Sequence, residues 1–423
     1  KGSLFIAICG ERTDGHKYID GCFEAGALCV ISEKELEGQT NSYIKVKSSL
    51  QALKDMALLY RNNLDIKVVG ITGSVGKTST KETISYVLNK KYKVLKTEGN
   101  FNNEIGLPLT VFRLRDDDEV AVLEMGISDF GEMDRLSKIA QPDISVITNI
   151  GLCHLENLKT RDGILKAKTE IFNNMKPDGI AILNGDDDKL ITVDEVNGKK
   201  PERFGINYKD GVYAKDIENL GLSGTKFVIS GLNCVDGCKD FEVTVPVPGH
   251  HMIYNALAAA CVGAALELTS AQIADGITDL KTISGRNNII KTSKYTLIDD
   301  CYNANPVSMK ASVDVLDMAI GRKVCILGNM YELGENEKNL HYDVGQYIGT
   351  KNIDVLITIG DLARHIAMGT DDYMETHFGS YDCEIHSFDD MEEFNMAYSS
   401  ILKDNDNILI KASHAMKFAD IVE

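Results

Sequence analysis

Two hydrophobic rhythms alternate along the chain. Short, mostly apolar runs at residues 4–9, 28–32 and 43–47 have the length of strands, while residues 18–26 and 50–64 carry apolar positions at helical spacing. A second series begins at residue 67. Residues 68–72, 120–125, 144–150 and 179–183 read as strands, and helices are predicted at 77–88, 133–140 and 164–175. Strand and helix in alternation is the pattern of a parallel sheet wrapped by helices. Residues 193–248 are richer in Gly, Lys and Asp, with strand-like fragments that predict an antiparallel extension, and an apolar helix follows at 254–266. A third series places strands at 295–299, 323–327, 355–359 and 408–410, and helices at 309–319, 340–348 and 391–402. That predicts a second doubly wound domain. The expected fold is α/β in three domains: a small N-terminal α/β domain (1–66), a central domain with a parallel sheet (67–285) and a C-terminal Rossmann-like domain (286–423).

Composition narrows the class. The 423 residues exceed one ordinary core and suit about three domains at ~150 residues each. A net charge of −18 repels nucleic acid and anionic membranes, so an anionic small substrate needs local cations or loop amides. No apolar run is long enough to cross a bilayer, and no stretch reads as a signal peptide. The ten cysteines are scattered; only Cys234 and Cys238 sit close together, and no second pair completes a zinc spacing. Cysteine usage of this kind suits a reducing cytoplasm, and a monomer is expected.

The strongest local signal is Gly70-Ile71-Thr72-Gly73-Ser74-Val75-Gly76-Lys77-Thr78, between a predicted strand and a predicted helix. Its glycines let backbone N–H groups from Thr72 through Val75 turn toward phosphate oxygens. Lys77 reaches the outer phosphates, the Thr78 hydroxyl is suited to Mg²⁺, and the helix presents its positive end to the same anion. Ile71 stands where the usual P-loop has its first glycine. The central domain thus reads as a P-loop ATPase domain. Glu124 ends an apolar strand, where ligands bind in such sheets; it is a metal carboxylate or a solvated strand end. His154 follows another strand end, as a metal ligand or as a structural loop residue. By spacing alone, Lys168 reads as a solvated helix-face lysine.

Taken together, these motifs resemble the Mur ligase family, the ATP-dependent ligases of bacterial cell-wall synthesis. The resemblance runs from Leu4 to Phe418. Thr72 to Thr78 looks like that family's shortened phosphate loop, and Leu123-Glu124-Met125-Gly126, Thr148-Asn149-Ile150-Gly151 with His154, and Ala167-Lys168-Thr169-Glu170-Ile171 match in order. Gly249-His250-His251-Met252-Ile253-Tyr254-Asn255 resembles the adenine-side motif, and Gly285-Arg286 the junction to the C-terminal domain. Four further stretches resemble the members that add D-alanyl-D-alanine to a UDP-muramoyl tripeptide. They are Gly99-Asn100-Phe101-Asn102-Asn103-Glu104-Ile105-Gly106, Asp300-Cys301-Tyr302-Asn303-Ala304-Asn305-Pro306, Leu327-Gly328-Asn329-Met330-Tyr331-Glu332-Leu333-Gly334 with His341, and Ile410-Lys411-Ala412-Ser413. Asn329, Ala412 and His414 depart from that family's usual Asp, Gly and Arg. Its uridine-contacting Ser-Arg segment would precede Lys1, so the resemblance implies a UDP-sugar domain lacking its start; Gly10-Glu11-Arg12-Thr13-Asp14-Gly15-His16 looks like the stretch that follows it.

The resemblance implies a reaction and a set of roles. ATP phosphorylates the substrate carboxylate, and the amine of D-alanyl-D-alanine displaces phosphate to give the UDP-N-acetylmuramoyl-pentapeptide of peptidoglycan, which underlies cell shape and division. Two Mg²⁺ ions are expected, one on Thr78 and Glu124, one near His154. The resemblance reverses the reading of Lys168: it is expected to be carbamylated by CO₂ and so to become an anion that supports the second ion. Asn255 is expected at the adenine, Arg286 at the phosphates, Asp300 at the ribose, and Asn303 and Asn305 at the dipeptide. A folylpolyglutamate synthase-like ligase and a sister Mur ligase are the alternatives within the fold, and the Tyr302-Asn303-Ala304-Asn305-Pro306 stretch argues against both. A P-loop switch is the alternative of another class.

Overall fold

The computed structural model describes residues 1–10, 13–38, 40–378 and 383–422. Glu11 and Arg12, in the middle of the 10–16 stretch, lie outside the described residues.

Three sheets organise the chain. The first is small and parallel, made of Leu4–Ile6, Cys29–Ser32 and Tyr43–Lys45 in that spatial order. Its core is slight, chiefly Ala7, Ile19 and Val30. The helix Ser49–Asn62 follows it in sequence and was assigned to it by position, yet it packs elsewhere. Ala57, Leu64 and Ile66 join the core of the middle unit; the Tyr60 hydroxyl donates to the Leu114 carbonyl at 2.6 Å, and buried Arg61 donates to the carbonyls of Ala140, Leu64 and Ile66. Leu64 and Ile66, just past the end of the helix, each contribute about 1.5–3 kcal/mol by this burial. The helix is therefore physically part of the middle unit.

The middle sheet has nine strands, and Lys67–Thr72, which leads into the phosphate loop, is the third from one edge. Val120–Glu124 and then Val94–Lys96 lie on one side of it. On the other side come Ile144–Ile147, Ile180–Asn184 and Glu202–Gly205. Every pair in this stretch is parallel, and Val212–Asn219 continues it in parallel beside Glu202–Gly205. Only the outer strands Thr225–Ser230 and Asp240–Val245 are antiparallel. The antiparallel extension expected over 193–248 is thus shorter than expected, because Glu202–Gly205 and Val212–Asn219 prolong the parallel ladder. One face is covered by Lys77–Leu88, His251–Ala265 and Ser270–Thr278, whose apolar residues form one core with Val69, Ile71, Val122 and Val146. Full burial on both faces explains why the central strands read as continuous apolar runs. The helix expected at 164–175 is Arg161–Thr169 followed by a short turn of tighter helix, Glu170–Phe172.

The third sheet has six strands in the order Asn288–Lys291, Thr296–Asp299, Asn407–Lys411, Lys323–Gly328, Val355–Ile359, Glu384–Phe388. All its pairs are parallel except the first. Asn288–Lys291 and Glu384–Phe388 were not expected. Both are edge strands with partly exposed residues, so neither shows a long apolar run. Among the described residues, no helix is long and apolar enough to cross a membrane.

Candidate active site

The topology brings the site together. Lys67–Thr72 lies between Val120–Glu124 and Ile144–Ile147, so the carboxyl ends of three parallel strands deliver Gly73, Glu124 and Thr148 to one edge. In the third sheet Thr296–Asp299, Asn407–Lys411 and Lys323–Gly328 are adjacent, and their ends deliver Asp300, Lys411 and Asn329. Residues from both edges line a cleft of about 1030 Å³, among them Lys77, Glu124, His154, Arg286, Asp300 and Asn303.

The phosphate loop is braced from behind. Gly73 has φ +150°, and a Cβ there would lie 1.9 Å from the Thr148 hydroxyl oxygen, so a side chain does not fit. The Thr148 hydroxyl and the Asn149 amide donate to the Val75 carbonyl at 2.7 and 2.9 Å, and Asn149 Oδ1 accepts the Val75 N–H at 3.0 Å. Ser74 is tied to the same segment: its N–H donates to the Asn149 carbonyl and its hydroxyl to the Gly151 carbonyl. Gly76, at φ +83°, starts the helix Lys77–Leu88 in a conformation that side chains disfavour. The Lys77 ammonium lies over the loop, donating to the Gly73 carbonyl at 2.9 Å.

Glu124 is 2% exposed. Asn102 donates to its Oε1 at 2.9 Å and buried Lys81 stands 4.0 Å from its Oε2, which makes no hydrogen bond. A buried carboxylate oxygen without a hydrogen bond, beside a phosphate loop, suits a hard divalent cation, and so does the Thr78 hydroxyl that lines the same cleft. The residues present therefore fit Mg²⁺ on Thr78 and Glu124.

Lys168 is buried at 1% exposure, with no hydrogen bond or ion pair among the described residues. Burial, reinforced by the Lys77 charge, lowers its amine from 10.5 to about 7. It is not the solvated face residue that helical spacing suggested, because Arg161–Thr169 turns this side inward. His154 has φ +49° and lies 3.4 Å from Glu332, which reaches it from the C-terminal unit. Burial lowers the His154 imidazole below its ordinary range despite that carboxylate, and the charges of Lys168 and Lys77 act in the same direction.

The remaining expected residues all line the cleft, though several are already engaged. The Asn255 carbonyl accepts the Thr80 hydroxyl at 2.9 Å. Arg286 sits over the Tyr302 ring, 4.0 Å from its centre, and extends to within 3.4 Å of the Thr78 hydroxyl, spanning the two units. Asp300 is bound by Lys411 and by Ser312, both at 2.5 Å, and by the Asn287 N–H at 3.1 Å. Asn305 caps the helix Pro306–Asp317: its Oδ1 accepts the Ser308 N–H and the Ser308 hydroxyl accepts the Asn305 N–H. Asn303 accepts the Ala304 N–H through its side chain, and its carbonyl accepts Lys411.

Sequence reasoning left Lys81, Asn102, Thr148, Asn149, Lys411 and Ser312 without roles, although all but Lys81 and Ser312 lie in quoted motifs. Their roles are contacts between different elements of one unit, which spacing does not carry. Two departures have local explanations. Asn329 donates to Asp361 at 3.0 Å, where an aspartate would repel it. His414 packs against Tyr302, on which Arg286 rests.

Similarity to known proteins agrees with this geometry. Residues 71–263 match the Mur ligase middle domain and residues 285–414 the Mur ligase glutamate ligase domain. The UDP-N-acetylmuramoyl-tripeptide–D-alanyl-D-alanine ligase of Bacillus subtilis is 37% identical, over 99% of this chain and 89% of that one. Its counterpart in Escherichia coli is 34% identical over 86% of this chain and 80% of its own. The crystal structure of MurF from Acinetobacter baumannii superposes with a TM-score of 0.90 at 30% identity, covering 100% of this chain and 90% of that one. MurF from Thermotoga maritima, solved with ADP, gives 0.86 at 31% identity over 100% of this chain and 93% of its own. With both domains matched in order and similarity running the length of the fold, the chain belongs to the Mur ligase family.

Proposed function

We propose that this chain uses ATP to join D-alanyl-D-alanine to a UDP-N-acetylmuramoyl tripeptide. The observation that carries this reading is the buried Glu124 oxygen, without a hydrogen bond, set beside the phosphate loop, in a cleft whose far wall carries the Asp300 to Asn305 stretch. Relatives named for this reaction support it.

A carboxylate is a poor electrophile, and bringing it to ATP sets anion against anion. The amides of the Gly73–Thr78 loop and the Lys77 ammonium hold the phosphates and spread their charge. Thr78 and Glu124 would hold Mg²⁺, which would supply further neutralisation when bound. A tripeptide carboxylate oxygen attacks the γ-phosphorus and ADP leaves, which gives an acyl phosphate. The dipeptide amine then adds to the carbonyl carbon, loses a proton, and inorganic phosphate departs as the amide forms. Arg286 meets the phosphates from the junction, Asn255 faces the adenine and Asp300 the ribose. Asn303 and Asn305 stand on the dipeptide side.

His154 and Lys168 suit a second Mg²⁺ only if the lysine becomes anionic. An amine lowered to about 7 is largely neutral in mildly alkaline solution, and only the neutral amine adds CO₂ to give a carbamate. We assign that modification to Lys168. The small-sheet unit before Ser49 is assigned to the UDP-sugar, the middle unit from there through 285 to ATP, and 286–423 to the dipeptide. The enzyme is assigned to the cytoplasm.

The test supplies ATP, Mg²⁺, UDP-N-acetylmuramoyl tripeptide and D-alanyl-D-alanine, and follows phosphate release and product mass together. The expected result is one phosphate per new amide, with Lys77→Ala inactive. Phosphate release that does not require the dipeptide, with no amide formed, refutes the reading. Isotopically labelled bicarbonate should give a carbamate resonance that Lys168→Met lacks.

A further inference from the structure

Nearly every carboxylate facing the cleft is already engaged. Asp300 is bound by Lys411, Ser312 and a backbone N–H. Asp186 accepts three backbone N–H groups and the Tyr254 hydroxyl. Asp187 accepts the N–H groups of Ile150, Lys189 and Leu190, and Asp188 grips Arg161. Glu82 is paired with Lys81 and Lys96. Glu124 belongs to the phosphate side. What is left on the opposite wall is Glu332.

Glu332 has no lysine or arginine partner among the described residues; its ion-pair contact is His154, at 3.4 Å across the cleft. Its side chain is 71% exposed. Its backbone is left-handed, φ +62°, a conformation that costs a residue with a Cβ about 1–2 kcal/mol. The loop around it is fixed. The Met330 N–H donates to His341 Nε2 at 2.8 Å and the Tyr331 N–H to the Ser413 hydroxyl at 2.9 Å, while Met330 and Leu333 are buried. Asn329 is clamped between Asp361 and the Ala363 N–H. Strain of this kind persists where the surroundings over-determine it, and it is concentrated at working positions. Here it presents a carboxylate with no lysine or arginine partner among the described residues on a braced loop, opposite His154, which is also left-handed at φ +49°.

The incoming dipeptide carries an α-ammonium, and free α-amino groups titrate near pH 8, at roughly 7.7–8.0. Lys77 and Arg286 line the same cleft and repel such a cation. An anion on the C-terminal wall is needed to receive it. We propose that Glu332 is a positioning residue that pairs with the α-ammonium of the incoming amine substrate and, once that ammonium has given up one proton to solvent, holds the neutral nitrogen toward the acyl phosphate beside His154. This assignment rests on the ligase reading above and adds the group that recognises the nucleophile.

The test compares two nucleophiles in the full chain. Hydroxylamine is neutral near neutral pH, traps acyl phosphates as hydroxamates and needs no anionic partner; D-alanyl-D-alanine needs one. For Glu332→Gln the KM for D-alanyl-D-alanine should rise roughly 10- to 100-fold, the range for one charge-assisted hydrogen bond. Its hydroxamate formation and KM for ATP should stay at wild-type values. Glu332→Asp, which keeps the charge, should recover part of the loss. Equal slowing of hydroxamate and amide formation in Glu332→Gln places the residue in the phosphoryl step and overturns the assignment. So does an unchanged KM for the dipeptide. Wild-type enzyme that forms neither product refutes the ligase reading and this assignment with it; a failure confined to the variants refutes this assignment alone.

Discussion

Replacing Lys168 with methionine should make the protein more stable and inactive. The amine is buried, and its value in the folded protein, about 7, lies below the ordinary 10.5. Between those values the unfolded chain binds more protons than the folded one, so stability rises with pH across that window. The penalty is complete below pH 7 and fades as pH approaches 10.5. At ~1.4 kcal/mol per pH unit the interval sets a ceiling of about 5 kcal/mol, and half-protonation near pH 7 trims it to about 4. Relaxation around buried charges lowers the expected gain for Lys168→Met to about 2–4 kcal/mol at pH 7. The same comparison at pH 9.5 should give only about 1 kcal/mol. Methionine has similar length and flexibility, so little packing is lost. The assay is denaturant unfolding of the middle unit in CO₂-free buffer, wild type against variant, at several pH values. A variant no more stable than wild type at pH 7, or a difference that does not shrink as pH rises, refutes the reasoning. Ligation should fall below detection in the same variant, because stability and activity make opposite demands on this position.

Glu124→Gln should abolish magnesium-dependent protection against thermal unfolding in the presence of ADP and reduce ligation by about 100-fold or more, measured by a magnesium titration of each. Gly73→Ala places a methyl 1.9 Å from the Thr148 hydroxyl oxygen; it should weaken ATP binding at least about tenfold in calorimetry and destabilise the fold by about 1–3 kcal/mol. Lys411→Met leaves Asp300 buried without its cation and should cost about 3–5 kcal/mol in denaturant unfolding, while adding Asp300→Asn to it should restore part of that stability.

Much of this architecture was legible in the order of residues. The phosphate loop announces itself because glycine, lysine and threonine at fixed spacing, between an apolar run and a helix, satisfy requirements that are all local. The inner parallel strands of both large sheets are buried on both faces, so their apolar runs are continuous and easy to read. The edge strands Asn288–Lys291 and Glu384–Phe388 escaped because half-exposed strands lack that run. The helix Ser49–Asn62 was read correctly as a helix and grouped with its neighbours in sequence; its amphipathic pattern shows that it has a buried face but not which sheet covers that face.

The chemistry divides along the same line. Sequence alone supplied Lys77, Thr78 and Glu124, because a strand's end and a glycine turn fix where such residues point. Lys168 was different: helical spacing gave it a solvent-facing reading, and only the packing of Arg161–Thr169 turned it inward and lowered its amine. The Asp300–Lys411 pair, the Arg286 contact with Thr78 and the meeting of His154 with Glu332 join positions more than a hundred residues apart. Spacing along a chain encodes what neighbours within a few turns require. The desolvation and pairing of charge depend on which surfaces meet, and that is decided when the sheets fold against one another.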